Sequence, residues 1–448
     1  MPSTAEAEPL SDDAGIRSRR RKRIFSLGGF RFRLSSTRVI DILLHGLSWL
    51  LETLVYIIGP LLILLALAII GVLTFSYFTI LLPMLEQKYE LSPFKHLLLA
   101  LHTSFVIFVV GNILFNYYWC LVTKHTGPKY DQLVRVLAQR TGLLYPETPA
   151  QMQQYRQDYE DRIYLRMQRR MARSATAGRV TDGGGGGSSN VVQRHATAAS
   201  SVKAESGSTQ QKKESIRAWM IMGPFEWGYC RETNQPKPPR SHYDHVSRKL
   251  VLNLDHYCPW MFNAIGYFNY RFFVTFLIFV FVGMLYGVSI SLEPFLLIGS
   301  EDYKNQYKME KRLGMKPKRL SPMLPFRDEK MLVTLCFMLC AAVGAAVLLL
   351  GGFHVYLTLT GQTTIEFHAN LSHRRQAKAI NKKWSNPYSL GSLHANWDQV
   401  FGKQRPWFLS LLPSARDPEY LPMPILGRLS RVDEESLCTS DSFDGEGV

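Results

Sequence analysis

Asp255, His256 and Cys258 lie within four residues, in the run Leu254-Asp255-His256-Tyr257-Cys258-Pro259-Trp260. A thiol attacks only as the thiolate, and a free cysteine is mostly protonated at neutral pH. An adjacent imidazole can take that proton. A carboxylate can fix the tautomer of the imidazole and stabilise it once charged. The three residue types needed for a nucleophilic cysteine are therefore present. Proximity along the chain does not establish contact in space, so a plain structural role stands beside the catalytic one.

Four uncharged apolar blocks have to position this cluster: 53–85, 97–123, 272–292 and 331–353. Each is long enough for a transmembrane helix, which needs about 20 apolar residues. Helices apolar on all faces and this long are rarely soluble cores. The expected fold class is an all-α polytopic membrane protein with four transmembrane helices. No cleavable signal is visible, because the start of the chain is polar and basic. The cluster Arg17, Arg19, Arg20, Arg21, Lys22 and Arg23 places the N-terminus in the cytosol by the positive-inside rule. An even number of spans returns the C-terminus there, in agreement with Arg374, Arg375, Lys378, Lys382 and Lys383. The loop from Ser300 to Lys330 disagrees, since it carries eight internal Lys and Arg residues on the lumenal side of this topology.

The expected organisation is a basic tail (1–52), two spans (53–123) and a cytosolic insertion (124–216) with a flexible Gly183–Gly187 stretch. A catalytic segment (217–271) follows. Then come two spans (272–358) around a lumenal loop (293–330), a cytosolic segment (359–414) and a disordered acidic tail (415–448). The net charge of +16 suits contact with anionic cytosolic lipid. No compact basic and aromatic domain supports nucleic-acid binding. The six cysteines sit mostly in spans or cytosolic parts, so a disulfide framework is not expected. Four spans without intramembrane charges or broken helices argue against a transporter or channel.

The segment Lys237-Pro-Pro-Arg240-Ser-His242, the run from Asp255 to Trp260, and Asn263, Gly266 and Asn269-Tyr-Arg-Phe-Phe273 resemble the cysteine-rich domain of DHHC palmitoyltransferases. Thr363-Thr364-Ile365-Glu366 resembles that family's TTxE motif. Asn386-Pro-Tyr388, Asn396-Trp397 and Phe401-Gly402 resemble its C-terminal motif, most nearly that of the ER and Golgi branch. The resemblance implies a protein S-acyltransferase. Cys258 would accept a fatty acyl group, such as palmitoyl, from acyl-CoA and pass it to membrane-proximal cysteines of substrate proteins. His256 would be the base and Asp255 its orienting carboxylate. Thr364 and Asn386 would support them. Lys237, Arg240 and His242 would face the CoA phosphates, and Trp260 would line the cavity mouth. The implied setting is an ER or Golgi bilayer.

The resemblance also implies two zinc ions held by eight Cys and His ligands. Here only Cys230 remains. Thr233, Tyr243, Asp244, Ser247, Leu250, Tyr257 and Ala264 occupy the other positions. A structural zinc site needs four ligands, so no bound zinc is expected, and packing must replace it. A set of Cys230, His242, Asp244 and His245 fits no familiar metal spacing. The loss leaves a second reading open, a catalytically impaired membrane scaffold or adaptor.

Overall fold

The computed structural model describes residues 36–180, 222–403, 405–425 and 431–432. The basic cluster at 17–23, the Gly183–Gly187 stretch and residues 433–448 lie outside the described residues. The chain divides into Met1–Leu54 and Val55–Val448. The described part is mostly helical, with six short strands.

Four segments are long and apolar enough to cross a bilayer: Thr53–Lys88, Lys95–Val122, Tyr270–Leu297 and Lys330–Thr360. In hydrocarbon every backbone polar group must be satisfied internally, which a helix does along its own length. The first segment comprises the end of α1 (Ser36–Ser76), a π-helical turn at Tyr77–Leu81, and α2 (Leu82–Lys88). The second is α3 (Lys95–Val122). The third and fourth are α6 (Tyr270–Leu297) and α8 (Lys330–Thr360). The chain is a multi-pass membrane protein. Small residues let α6 and α8 approach closely. A Cβ on Gly287 would meet the Cys340 sulfur at 2.6 Å, and one on Gly351 would meet Leu277 at 3.5 Å.

Between α3 and α6 the chain is not a loose loop. Amphipathic α4 (Pro128–Arg140) buries Tyr130, Leu133, Val134 and Leu137 in a core shared with Trp227, Leu252, Leu421 and Met423. Helix α5 (Pro149–Val180) lies on the first hairpin. There Tyr155 donates to the Gly228 carbonyl at 2.9 Å and Arg166 forks onto Glu226. Three antiparallel hairpins follow: β1 (Gly228–Cys230) with β2 (Gln235–Lys237), β3 (Ser241–Asp244) with β4 (Lys249–Leu252), and β5 (His256–Cys258) with β6 (Asn263–Ile265). The all-α expectation is corrected here: the segment between the second and third spans carries six strands.

At the opposite end of the bundle, α7 (Glu301–Leu313) caps α6. The basic excess of this loop is partly neutralised by folding: Arg319 forks onto Glu329, Lys316 pairs with Asp328, and Lys304 pairs with Glu301. At the hairpin end, α9 (Thr364–Ala379) and α10 (Leu393–Phe401) follow α8. The expected disordered tail is corrected for its first residues. Tyr420, Leu421 and Met423 are buried, because Leu421 and Met423 complete the core under α4.

Candidate active site

Strand β5 sets the site. Side chains alternate across a strand, so His256 and Cys258 share one face and Tyr257 takes the other. Tyr257 packs toward Val251, Leu254 and Ala264. Cys258 joins a cluster with Tyr117, Cys120, Met261, Phe272, Phe273 and Leu277, at the hairpin end of α3 and α6. Its side of the hairpin is fastened to α3 through that helix's last carbonyls, which lack helical partners. Asn263 donates to the carbonyls of Cys120 (2.9 Å) and Thr123 (2.8 Å). Tyr117 donates to the Trp260 carbonyl at 2.9 Å.

Asp255 is 1 % exposed, yet its carboxylate is fully engaged. The Thr364 N–H donates to Oδ1 at 2.7 Å, and the Thr364 hydroxyl to Oδ2 at 2.9 Å. His256 Nδ1 lies 2.7 Å from the same Oδ2. That bond leaves the far ring nitrogen of His256 for Cys258, two residues on along the same face of β5. Asp255 and His256 are therefore hydrogen-bonded, with Cys258 beside them on the strand.

Thr364 reaches Asp255 because α8 stops sharply. Gly361 adopts φ +69°, a left-handed cap that favours glycine. A side chain there would also collide with Asn396 at 2.7 Å. The orphan carbonyls of the helix end are taken by two amides: Asn396 donates to Leu359 O at 2.8 Å and Asn386 to Thr360 O at 2.7 Å. Thr363 then caps α9 in a reciprocal box with Glu366. The positive N-terminus of α9 so faces the Asp255 carboxylate, a favourable placement for negative charge.

Burial acts to raise the Asp255 carboxyl, but the His256 bond, the nearby His354 and the Thr364 N–H outweigh it and hold it below the usual carboxylate range. Burial acts to lower His256, but its bonds to Asp255 and Cys258 prevail and raise it to about 9. The imidazole is thus strengthened as a base toward the neighbouring thiol. His354, on α8, was not singled out from the sequence. Its Nδ1 lies 3.8 Å from Asp255 Oδ2, and its ring sits 5.6 Å from the His256 ring and 4.9 Å from Phe273. The available signal was an imidazole one residue past the fourth apolar block, ten residues before Thr364.

Residues 224–371, which hold Asp255, His256, Cys258, His354 and Thr364, match the family model described as DHHC palmitoyltransferase. This segment of the chain is therefore similar to DHHC palmitoyltransferases. It is 28 % identical to Palmitoyltransferase ZDHHC16A of Danio rerio over 42 % of this chain and 56 % of that protein. It is 32 % identical to the Putative ZDHHC-type palmitoyltransferase 4 of Dictyostelium discoideum, over 43 % and 46 %. It is 30 % identical to the Probable protein S-acyltransferase 12 of Arabidopsis thaliana, over 42 % and 55 %. The chain spans about half the length of the curated relatives it matches.

Within this DHHC domain the expected phosphate-facing residues separate. Arg240 is corrected: it does not present its guanidinium outward. Its side chain is 3 % exposed and forks onto Glu366 at 2.7 and 2.8 Å, while the carbonyls of Pro422 and Gly361 take further donors. Arg240 also holds φ +60°. It braces the hairpins against the start of α9 and the strap at 418–425. Lys237 and His242 are half-buried and lie near one another. Burial lowers the Lys237 amine; it also lowers His242, with help from Lys237, to about 3. Trp260 remains 45 % exposed beside the nucleophile.

The residues at the family's zinc positions do not fit the metal. Leu250 and Ala264 are fully buried, and Ala264 packs with Val251, Leu254 and Tyr257. Ser247 donates to Asp244 through both its N–H and its hydroxyl, which closes the β3–β4 turn. Cys230 donates to Glu232 at 3.3 Å. Hydrophobic packing, these turn bonds and the α5 contacts hold the hairpins together, and no chemical step runs through zinc.

Proposed function

We propose that this protein is a protein-cysteine S-acyltransferase that works through an acyl-Cys258 thioester. The observation that supports it most is the hydrogen-bonded series from Thr364 through Asp255 to His256, with Cys258 on the same face of β5 as that imidazole. His256 takes the Cys258 proton at its far ring nitrogen, and Asp255 stabilises the imidazolium. The thiolate attacks the thioester carbonyl of a fatty acyl-CoA. The C–S bond to CoA breaks, and the CoA sulfur leaves with the proton from His256. In the second half, a substrate cysteine gives its proton to His256, takes the acyl group, and Cys258 leaves as the thiol.

An apolar cleft between the spans, lined among others by Ile70, Tyr77, Val109, Met284 and Cys340, is of a character that suits a fatty chain such as palmitoyl. Substrate cysteines must lie near the bilayer, since the nucleophile sits at the ends of α3 and α6. An ER or Golgi membrane, with the hairpins and both termini cytosolic, belongs to the same reading. The ion pairs of the 300–330 loop ease the charge argument against that topology. A non-catalytic scaffold is disfavoured by the Asp255–His256 bond beside Cys258.

The test is purified protein incubated with a labelled acyl-CoA. Hydroxylamine-sensitive label on the wild type and none on Cys258→Ser is the expected result. Folded wild-type protein that takes no label overturns the proposal.

A further inference from the structure

We propose that residues 406–413 form a re-entrant turn, seated in the hydrocarbon of the leaflet on the hairpin side of the bundle. This is a lipid-contact surface separate from the four spans, and it does not rest on the acyltransferase reading.

The first observation is depth. Leu411 packs against the cluster of Val109, Ile113, Phe279, Val280, Met284 and Cys340. These residues lie well inside the transmembrane helices. Phe279 is eight residues beyond Arg271 at the hairpin end of α6, and Ile113 is nine residues short of Val122 at the end of α3. At 1.5 Å per residue that is about 12 Å below the helix ends. A chain segment touching this cluster has entered the bundle's apolar zone.

The second observation is what the segment shows outward. Trp407 is 65 % exposed, Phe408 53 %, Leu409 38 % and Leu412 37 %. In water this would be a costly apolar patch. Its continuity with the lipid-facing sides of the spans selects acyl chains as its cover. Basic Lys403 and Arg405 precede the turn and Arg416 follows it, as expected where chain crosses a headgroup layer.

The third observation is the backbone, which turns back on itself so that part of its polar groups bond internally, as hydrocarbon favours. Pro406 and Pro413 have no N–H to satisfy. Ser410 donates its N–H to Pro406 O at 3.0 Å and its hydroxyl to Trp407 O at 2.6 Å. Leu412 N–H donates to Leu409 O at 3.2 Å. Arg271 grips the exit, donating to the carbonyls of Ser414 (2.8 Å) and Arg416 (2.9 Å).

The experiment compares full-length wild type with Trp407→Tyr in phosphatidylcholine vesicles, with and without bromine on the mid-chain carbons. The wild-type minus variant emission reports Trp407 alone. Bromine should lower it roughly twofold or more, and aqueous iodide should leave it unchanged, as for a buried interfacial aromatic. Phe408→Trp, which adds a reporter rather than removing one, should gain emission with the same quenching pattern. Quenching by iodide without bromine places the turn in water and overturns the proposal. Quenching by neither means that protein covers the face, which overturns it equally.

Discussion

Thr364 donates both its backbone N–H and its hydroxyl to the two oxygens of Asp255, at 2.7 and 2.9 Å, across 109 residues of chain. The start of one helix thereby orients the carboxylate that orients the base. A hydrogen bond to a charged group contributes about 1.5–3 kcal/mol. Thr364→Val should therefore slow acyl loading roughly 10–100-fold, with Thr364→Ser close to wild type. Single-turnover loading of Cys258 checks this, and equal rates for all three proteins would rule the support role out.

Asp255→Asn should lower loading by about 10³–10⁴, the size of effect expected when an orienting carboxylate is removed from such a set. The pH profile should move as well. Asp255 supplies the largest upward influence on His256, which is raised to about 9. Without it burial acts downward with little opposition, so the His256 transition should fall toward or below 6.5. A profile that stays in place would show that Asp255 does not tune this imidazole.

Arg240→Ala should destabilise the protein strongly, by about 3–5 kcal/mol, because it leaves Glu366 buried and unpaired. The KM for acyl-CoA of whatever folded fraction remains should be nearly unchanged. A large KM increase with unchanged thermal stability would restore the phosphate-binding role that the structure removes.

Zinc should be absent from the purified protein, at well under one equivalent by elemental analysis. Chelators should alter neither its melting nor its acyl loading. Leu250, at 1 % exposure, fills a former ligand position; Leu250→Ala should cost about 2–5 kcal/mol by leaving a cavity. Stoichiometric metal would refute the packing account.

Acid should destabilise the hairpin end through His125. Its Nε2 lies 2.8 Å from the Ala264 carbonyl, and burial lowers its pKa to about 4. The unfolded chain binds a proton near pH 6.5 and the folded one does not, so stability falls as pH drops from 6.5 toward 4. The full effect is on the order of 2–3 kcal/mol. His256 works in the opposite sense: its contribution is complete below 6.5 and is lost as pH rises through about 9. Thermal midpoints from pH 4 to 9 should show both limbs, and His125→Gln should flatten the acid one alone.

The spans were legible in the sequence because burial in lipid demands long uncharged runs, a property each run carries by itself. The residue types of the Asp255–Cys258 cluster were equally plain, but that His256 and Cys258 share one face follows from β5, which the all-α expectation lacked. That Leu250 and Ala264 offer no donor atom to a metal could be read from residue chemistry alone. What tertiary structure decided were the contacts between distant segments. Arg240 looks like a phosphate ligand until Glu366 arrives from 126 residues away. His354 looks like the frayed end of a span until α8 is seen to deliver it beside Asp255. Leu421 and Met423 look like a loose tail until α4 offers them a core. Local pattern reports what a residue is able to do; which partner comes within reach is settled only when helices, hairpins and strap close on one another.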